Sequence, residues 1–292
     1  MKPIDFYRIT KQHLEAQARK KGVRNLGRYY TLTDFQKCEF LPRYSETAQV
    51  FAQIAFHAQN ATLLSNIVRF EKNIGFLSTA LCGFDPKRFS AKFPAADRER
   101  SVQALVEALR FDPAAQTGLV WNAEKSKSGQ KDTLIRRYAN TLIDAAAFVG
   151  QFSSRAAFLQ DLLNHYPNQD PAKVIAYFRK KVSHGFSVAL TCDFLKEFDQ
   201  SFSGLSKPDV HIKDTLCALY GRKPGYYNSA KKELYSISEM QKLVDAINEE
   251  LPPEENITVY ILDRMIWLVC SGKFFLDDAG NDKERYIQAI QA

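Results

Sequence analysis

The apolar residues of this 292-residue chain recur mainly at three- and four-residue steps. Between 47 and 58, Val50, Ile54 and His57 share one stripe, flanked by Phe51, Ala55 and Ala58. From 61 to 82 the pattern runs on through Leu63, Leu64, Ile67, Val68, Phe70, Ile74, Leu77 and Leu81. At 3.6 residues per turn such positions share one face, so the spacing predicts amphipathic helices. It predicts more of them at 98–110, 131–150, 154–166, 171–182, 186–199, 209–220, 236–250 and 256–271. Alternating strand patterns are scarce, so the expected fold is mainly α.

Proline and glycine punctuate this pattern. Gly83-Phe84-Asp85-Pro86, Pro113, Pro167, Pro171 and Pro252-Pro253 mark ends and turns. Ser45-Glu46-Thr47, Ser153-Ser154 and Ser236-Ile237-Ser238-Glu239 read as helix caps, the last with capping-box spacing. The polar run 122–132 is the best internal boundary.

Composition narrows the class. An apolar fraction of 45% is ordinary for a globular chain. No apolar run reaches the roughly eighteen residues needed to span a bilayer. Met1-Lys2-Pro3-Ile4-Asp5 opens no secretory signal, so no membrane partner and a cytoplasmic, nucleoid-associated location are expected. Cys38, Cys82, Cys192, Cys217 and Cys270 are scattered, with no Cys-x-x-Cys. That excludes a disulfide framework and the usual zinc or iron–sulfur sets, so no metal and no cofactor are expected. Cys192, Cys217 and Cys270 read as small core residues.

The net charge of +7 and pI near 9.0 suit a polyanionic partner. Residues 1–28 carry Lys2, Arg8, Lys11, Arg19, Lys20, Lys21, Arg24 and Arg28 against Asp5 and Glu15. A second basic cluster mixes with aromatics at Arg222, Lys223, Tyr226, Tyr227, Lys231 and Lys232. Each cluster reads equally as a solvated surface.

Three segments carry candidate chemistry. His57-Ala58-Gln59-Asn60-Ala61-Thr62 lies where one apolar helix ends and another begins. Lys181-Val182-Ser183-His184-Gly185-Phe186-Ser187-Val188-Ala189 is a polar glycine turn between two helices, whose free amides suit an anion. Lys207-Pro208-Asp209-Val210-His211 puts an acid at a helix mouth. Asp209 is also an ordinary helix cap, and Gln59 and Asn60 also read as a helix junction.

In this order and context the three segments resemble the helix–hairpin–helix DNA glycosylase superfamily, of the endonuclease III and 8-oxoguanine glycosylase type. The resemblance covers roughly 47–80 and 134–220. It implies two helical lobes with a helix–hairpin–helix motif and a cleft between them, within one unit 1–292. The approximate lobes are 1–130 with 222–292, and 131–221. It implies a monomer that acts on double-stranded DNA containing a modified base. Gln59 or Asn60 would fill the gap left by a flipped base. Ser183, His184, Gly185 and Ser187 would meet a DNA phosphate, with His211 nearby in sequence as a further DNA contact. Phe186 is the first candidate to stack on the extruded base.

Asp209 would be the catalytic acid of the family, set against the positive charge that builds on the sugar as the N-glycosidic bond breaks. The hairpin departs from the pattern, with Val182 for a proline and Ser183 for the first glycine. Ser187 stands where bifunctional members carry the lysine that forms a Schiff base. The resemblance therefore implies a monofunctional enzyme in which Asp209 assists attack by water. A non-catalytic DNA-binding protein on the same fold, with Asp209 only a cap, stays open. So does an unrelated helical module.

Overall fold

The computed structural model describes residues 1–33, 36, 41–59, 73–110, 134–274, 277–278 and 283–291. The chain is mainly helical, as the spacing predicts. In chain order the described helices are α1 (Pro3–Lys20), α2 (Arg28–Thr31), α3 (Glu46–Gln59), α4 (Ile74–Ala80), α5 (Pro86–Lys92), α6 (Arg98–Leu109) and α7 (Leu134–Val149). There follow α8 (Arg155–Asn164), α9 (Pro171–Lys181), α10 (Val188–Phe198), α11 (Val210–Leu219), α12 (Ala230–Asn248), α13 (Val259–Ser271) and α14 (Lys283–Gln291). The strands among the described residues are two-residue segments, β1 (Lys273–Phe274) and β2 (Asp277–Asp278), paired antiparallel with Lys273 opposite Asp278. Among the described residues no helix is long and apolar enough to cross a membrane.

The chain forms two units, Cys38–Phe194 and Met1–Lys37 with Leu195–Ala292. The expected lobes place 38–130 and 131–194 apart, whereas this division joins them. In the Cys38–Phe194 unit the joining element is α7. Thirteen of its sixteen residues are buried, so other elements cover most of its circumference. It packs against α3, α5 and α6, and the Tyr138 hydroxyl donates to the Ala55 carbonyl of α3 at 3.0 Å. Pro86 and Pro171 open α5 and α9 directly after capping aspartates, Asp85 and Asp170. Ser154 caps α8 by accepting from the Ala157 amide, as its spacing predicts. Each such cap contributes about 1 kcal/mol.

The other unit is built on α13, whose residues Val259, Leu262, Met265, Ile266, Leu268, Val269 and Cys270 are all buried. Helices α1, α2, α11, α12 and α14 pack on it. The sequence pattern does not announce α1, because its inner stripe includes two polar residues, Thr10 and Gln17. Both hydrogen-bond within the core. Thr10 shares a 2.9 Å hydrogen bond with the Tyr286 hydroxyl, and the Gln17 amide donates to the Val269 carbonyl at 3.0 Å. Helix α12 starts at 230 rather than 236. Ser229 is its cap, and Ser236 and Glu239 are buried inside it. The expected capping box is thus an internal pattern: Ser236 donates to the Glu233 carbonyl, and Glu239 binds Arg222 and Tyr227. Cys192, Cys217 and Cys270 are buried, as expected of core residues.

Candidate functional site

The turn between α9 and α10 is held from behind by a polar stripe on α7. Asn140, Thr141 and Asp144 are buried among the apolar residues of that helix. Asp144 Oδ2 accepts from the Ser183 amide at 3.0 Å and the Ser183 hydroxyl at 2.8 Å, and lies 2.8 Å from His184 Nδ1. Its other oxygen accepts from Arg98 of α6 at 2.6 Å, and Arg98 also donates to Asn140 at 3.0 Å. Burial alone would raise the Asp144 carboxyl. The donors His184, Arg98 and Ser183 outweigh it and hold the group down at about 2.

Gly185 has a structural requirement here. Its φ is +80°, in the left-handed region, and a Cβ would fall inside the contact distance of Thr141 Oγ1. That hydroxyl lies 2.8 Å from both the Arg137 and the His184 carbonyls. The Phe186 carbonyl accepts from Arg179 Nε at 3.1 Å. These turn carbonyls are therefore tied back into the protein, while the backbone amides of 184–189 meet no acceptor among the described residues. Ser187 caps α10, its hydroxyl accepting from the Leu190 amide at 3.2 Å.

The side chain of Phe186 does not suit the stacking role expected of it. It is buried, 5% exposed, and packs against Phe178 and Phe194 with ring centroids 5.1 and 6.3 Å away. It is core material. Gln59 ends α3, but its side chain and all of Asn60 lie outside the described residues. His57 is buried on α3, with Nδ1 3.5 Å from Asp193 Oδ2.

Asp209 and His211 belong to the Met1–Lys37 and Leu195–Ala292 unit. Asp209 is the N-cap of α11, with Oδ1 accepting from the amides of His211 at 2.8 Å and Ile212 at 3.1 Å. Its Oδ2 accepts from no described group, and the residue is partly exposed. His211 is half-buried, and desolvation holds its imidazole below the ordinary histidine value against the opposing pull of Asp209, with Lys283 adding to the lowering. It is therefore a neutral ring at pH 7.

The segment before Asp209 is fixed from below by charged residues of α10 and α13. Asp263 lies inside α13, which Thr258 caps. Its Oδ2 pairs with Lys196 of α10, and its Oδ1 accepts from the Lys207 amide at 2.7 Å. Both side chains of the pair are 2% exposed. Next to it, Arg264 pairs with Glu197 at 3.6 Å, so Lys196-Glu197 meets Asp263-Arg264 with opposite charges in register. Burial raises the Asp263 carboxyl above its ordinary value, while Lys196 pulls it down. The signal for these anchors, and for Asp144, was a charged residue embedded in an apolar helical run. Compared with protein-family models, with curated proteins and with solved structures, the chain matches none.

Proposed function

We propose that this protein is a DNA N-glycosylase, removing a damaged or modified base from duplex DNA by hydrolysis with Asp209 as the catalytic carboxylate. The observation that carries the reading is the state of that side chain. One oxygen is fixed by two helix amides and the other is left without a described donor, on a residue partly open to solvent. A carboxylate so held keeps its orientation, and its other oxygen is available to a sugar cation or to an attacking water.

The α9–α10 turn supports the same reading. Among the described residues its 184–189 amides meet no acceptor, and Gly185 allows close approach of a phosphate. Ser187, where an amine nucleophile would stand, is engaged as a helix cap, so the product is an abasic site with an intact strand. A second reading, a DNA-binding protein without catalysis, draws on the fact that capping alone accounts for Oδ1 of Asp209. The test is base release from a panel of lesion-bearing duplexes by the full chain and by Asp209→Asn. Release by the parent that is lost in the variant supports catalysis. Equal release by both removes Asp209 from it, and a covalent adduct trapped by borohydride removes the hydrolytic route.

A further inference from the structure

The basic and aromatic cluster that follows α11 is not used by the reading above, and its geometry is distinctive. Among the described residues, five large hydrophobic side chains are exposed, and three of them, Tyr220, Tyr226 and Tyr235, surround one guanidinium. The Arg222 centre lies 5.0, 4.7 and 5.5 Å from their ring centroids, and 5.2 Å from the buried ring of Tyr227. Arg222 is fixed in turn by Glu239 and the Tyr227 hydroxyl. The exposed rings are thus mounted on an anchored cation, at sites 37–40% exposed.

The charge around the rings is one-sided. Residues 213–239 carry five cations against three carboxylates. All three carboxylates are engaged: Asp214 with Lys283, Glu233 with Lys213 and Glu239 with Arg222. Lys223, Lys231 and Lys232 have no carboxylate partner among the described residues. Lys232 lies 4.0 Å from the Tyr226 ring centroid and 5.4 Å from that of Tyr235. Partly exposed tyrosines interleaved with lysines that meet no carboxylate among the described residues match the two repeating elements of an unpaired nucleic-acid strand, its bases and its phosphates.

We propose that Tyr220, Tyr226 and Tyr235, with Lys223, Lys231 and Lys232, form a docking surface for single-stranded DNA. The surface is independent of Asp209 and needs no lesion. Bases stack on the tyrosines, which makes the surface tolerant of sequence, and the lysines follow the backbone. An acidic protein is a poorer fit, because it offers carboxylates to the lysines and nothing planar to three rings.

The test is fluorescence anisotropy with a labelled twelve-nucleotide deoxythymidine strand and the full chain. Each of Tyr220→Ala, Tyr226→Ala and Tyr235→Ala weakens binding about tenfold, whereas the Tyr→Phe variants bind like the parent. An abasic strand of the same length binds at least tenfold more weakly. Lys223→Ala and Lys231→Ala each flatten the salt dependence by about 0.7 in slope. Circular dichroism checks that each variant is folded. The proposal is overturned if folded Tyr→Ala variants bind as the parent does, if the abasic strand binds equally well, or if polyglutamate competes as effectively as the strand. Strand binding is read without a lesion and base release without a single strand, so failure here and failure of the glycosylase reading are told apart.

Discussion

Asp144→Asn tests how the glycine turn is held. The substitution keeps the shape of the side chain but removes the charge that Arg98, Ser183 and His184 converge on. In the folded protein the carboxyl is lowered from 3.8 to about 2. At about 1.4 kcal/mol per unit, that shift contributes about 2 kcal/mol of stability. The folded value is the depressed one, so this contribution is fully present above about pH 4 and is lost as the pH falls through about 2. Urea titrations at pH 7, 5 and 3 read it directly. The variant is expected to be about 2 kcal/mol less stable at pH 7 and 5, and about 1 kcal/mol less stable at pH 3, because the amide does not titrate. A deficit that stays constant down to pH 3, or one under about 0.5 kcal/mol at pH 7, would refute the argument that charged hydrogen bonds to Asp144 hold the turn.

Two further substitutions probe the anchors. Gly185→Ala forces a Cβ into a left-handed residue and against Thr141, and should cost at least about 2 kcal/mol in urea midpoint-derived stability. An alanine variant as stable as the parent would show that the turn relaxes freely. Asp263→Asn keeps an acceptor for the Lys207 amide but removes the carboxylate charge that faces Lys196 in the core, at an expected cost of about 3–5 kcal/mol. Adding Lys196→Met should recover most of that loss, and a double variant no better than the single one would contradict the pairing.

Much of the helical framework is legible in the sequence, because α3, α6 to α11 and α13 each show apolar spacing bounded by caps or prolines. The exceptions have physical causes. Helix α1 hides behind Thr10 and Gln17, whose partners Tyr286 and Val269 lie more than 250 residues away in the chain. The start of α12 is misplaced because a Ser-x-x-Glu pattern is local, whereas the burial of Glu239 against Arg222 is tertiary.

The candidate site divides the same way. Asp209 as a cap follows from Pro208 and the apolar run after it. Its support by Asp263, and the support of the turn by Asp144, depend on partners 39 to 67 residues away. No local pattern encodes them. Phe186 differs from its expected role for a related reason: beside a turn an aromatic looks available in sequence, but Phe178 and Phe194 cover it.

The central claim is that the Asp209 carboxylate acts on a sugar, beyond capping a helix. Asparagine caps as well as aspartate, so Asp209→Asn separates the two roles within one folded protein. The decisive measurement is single-turnover base release from the lesion duplex that the parent processes best. The account predicts a loss of at least a hundredfold in Asp209→Asn, on the scale of a lost charged group in catalysis, with urea stability unchanged within about 0.5 kcal/mol. Base release by Asp209→Asn at the parental rate would contradict it.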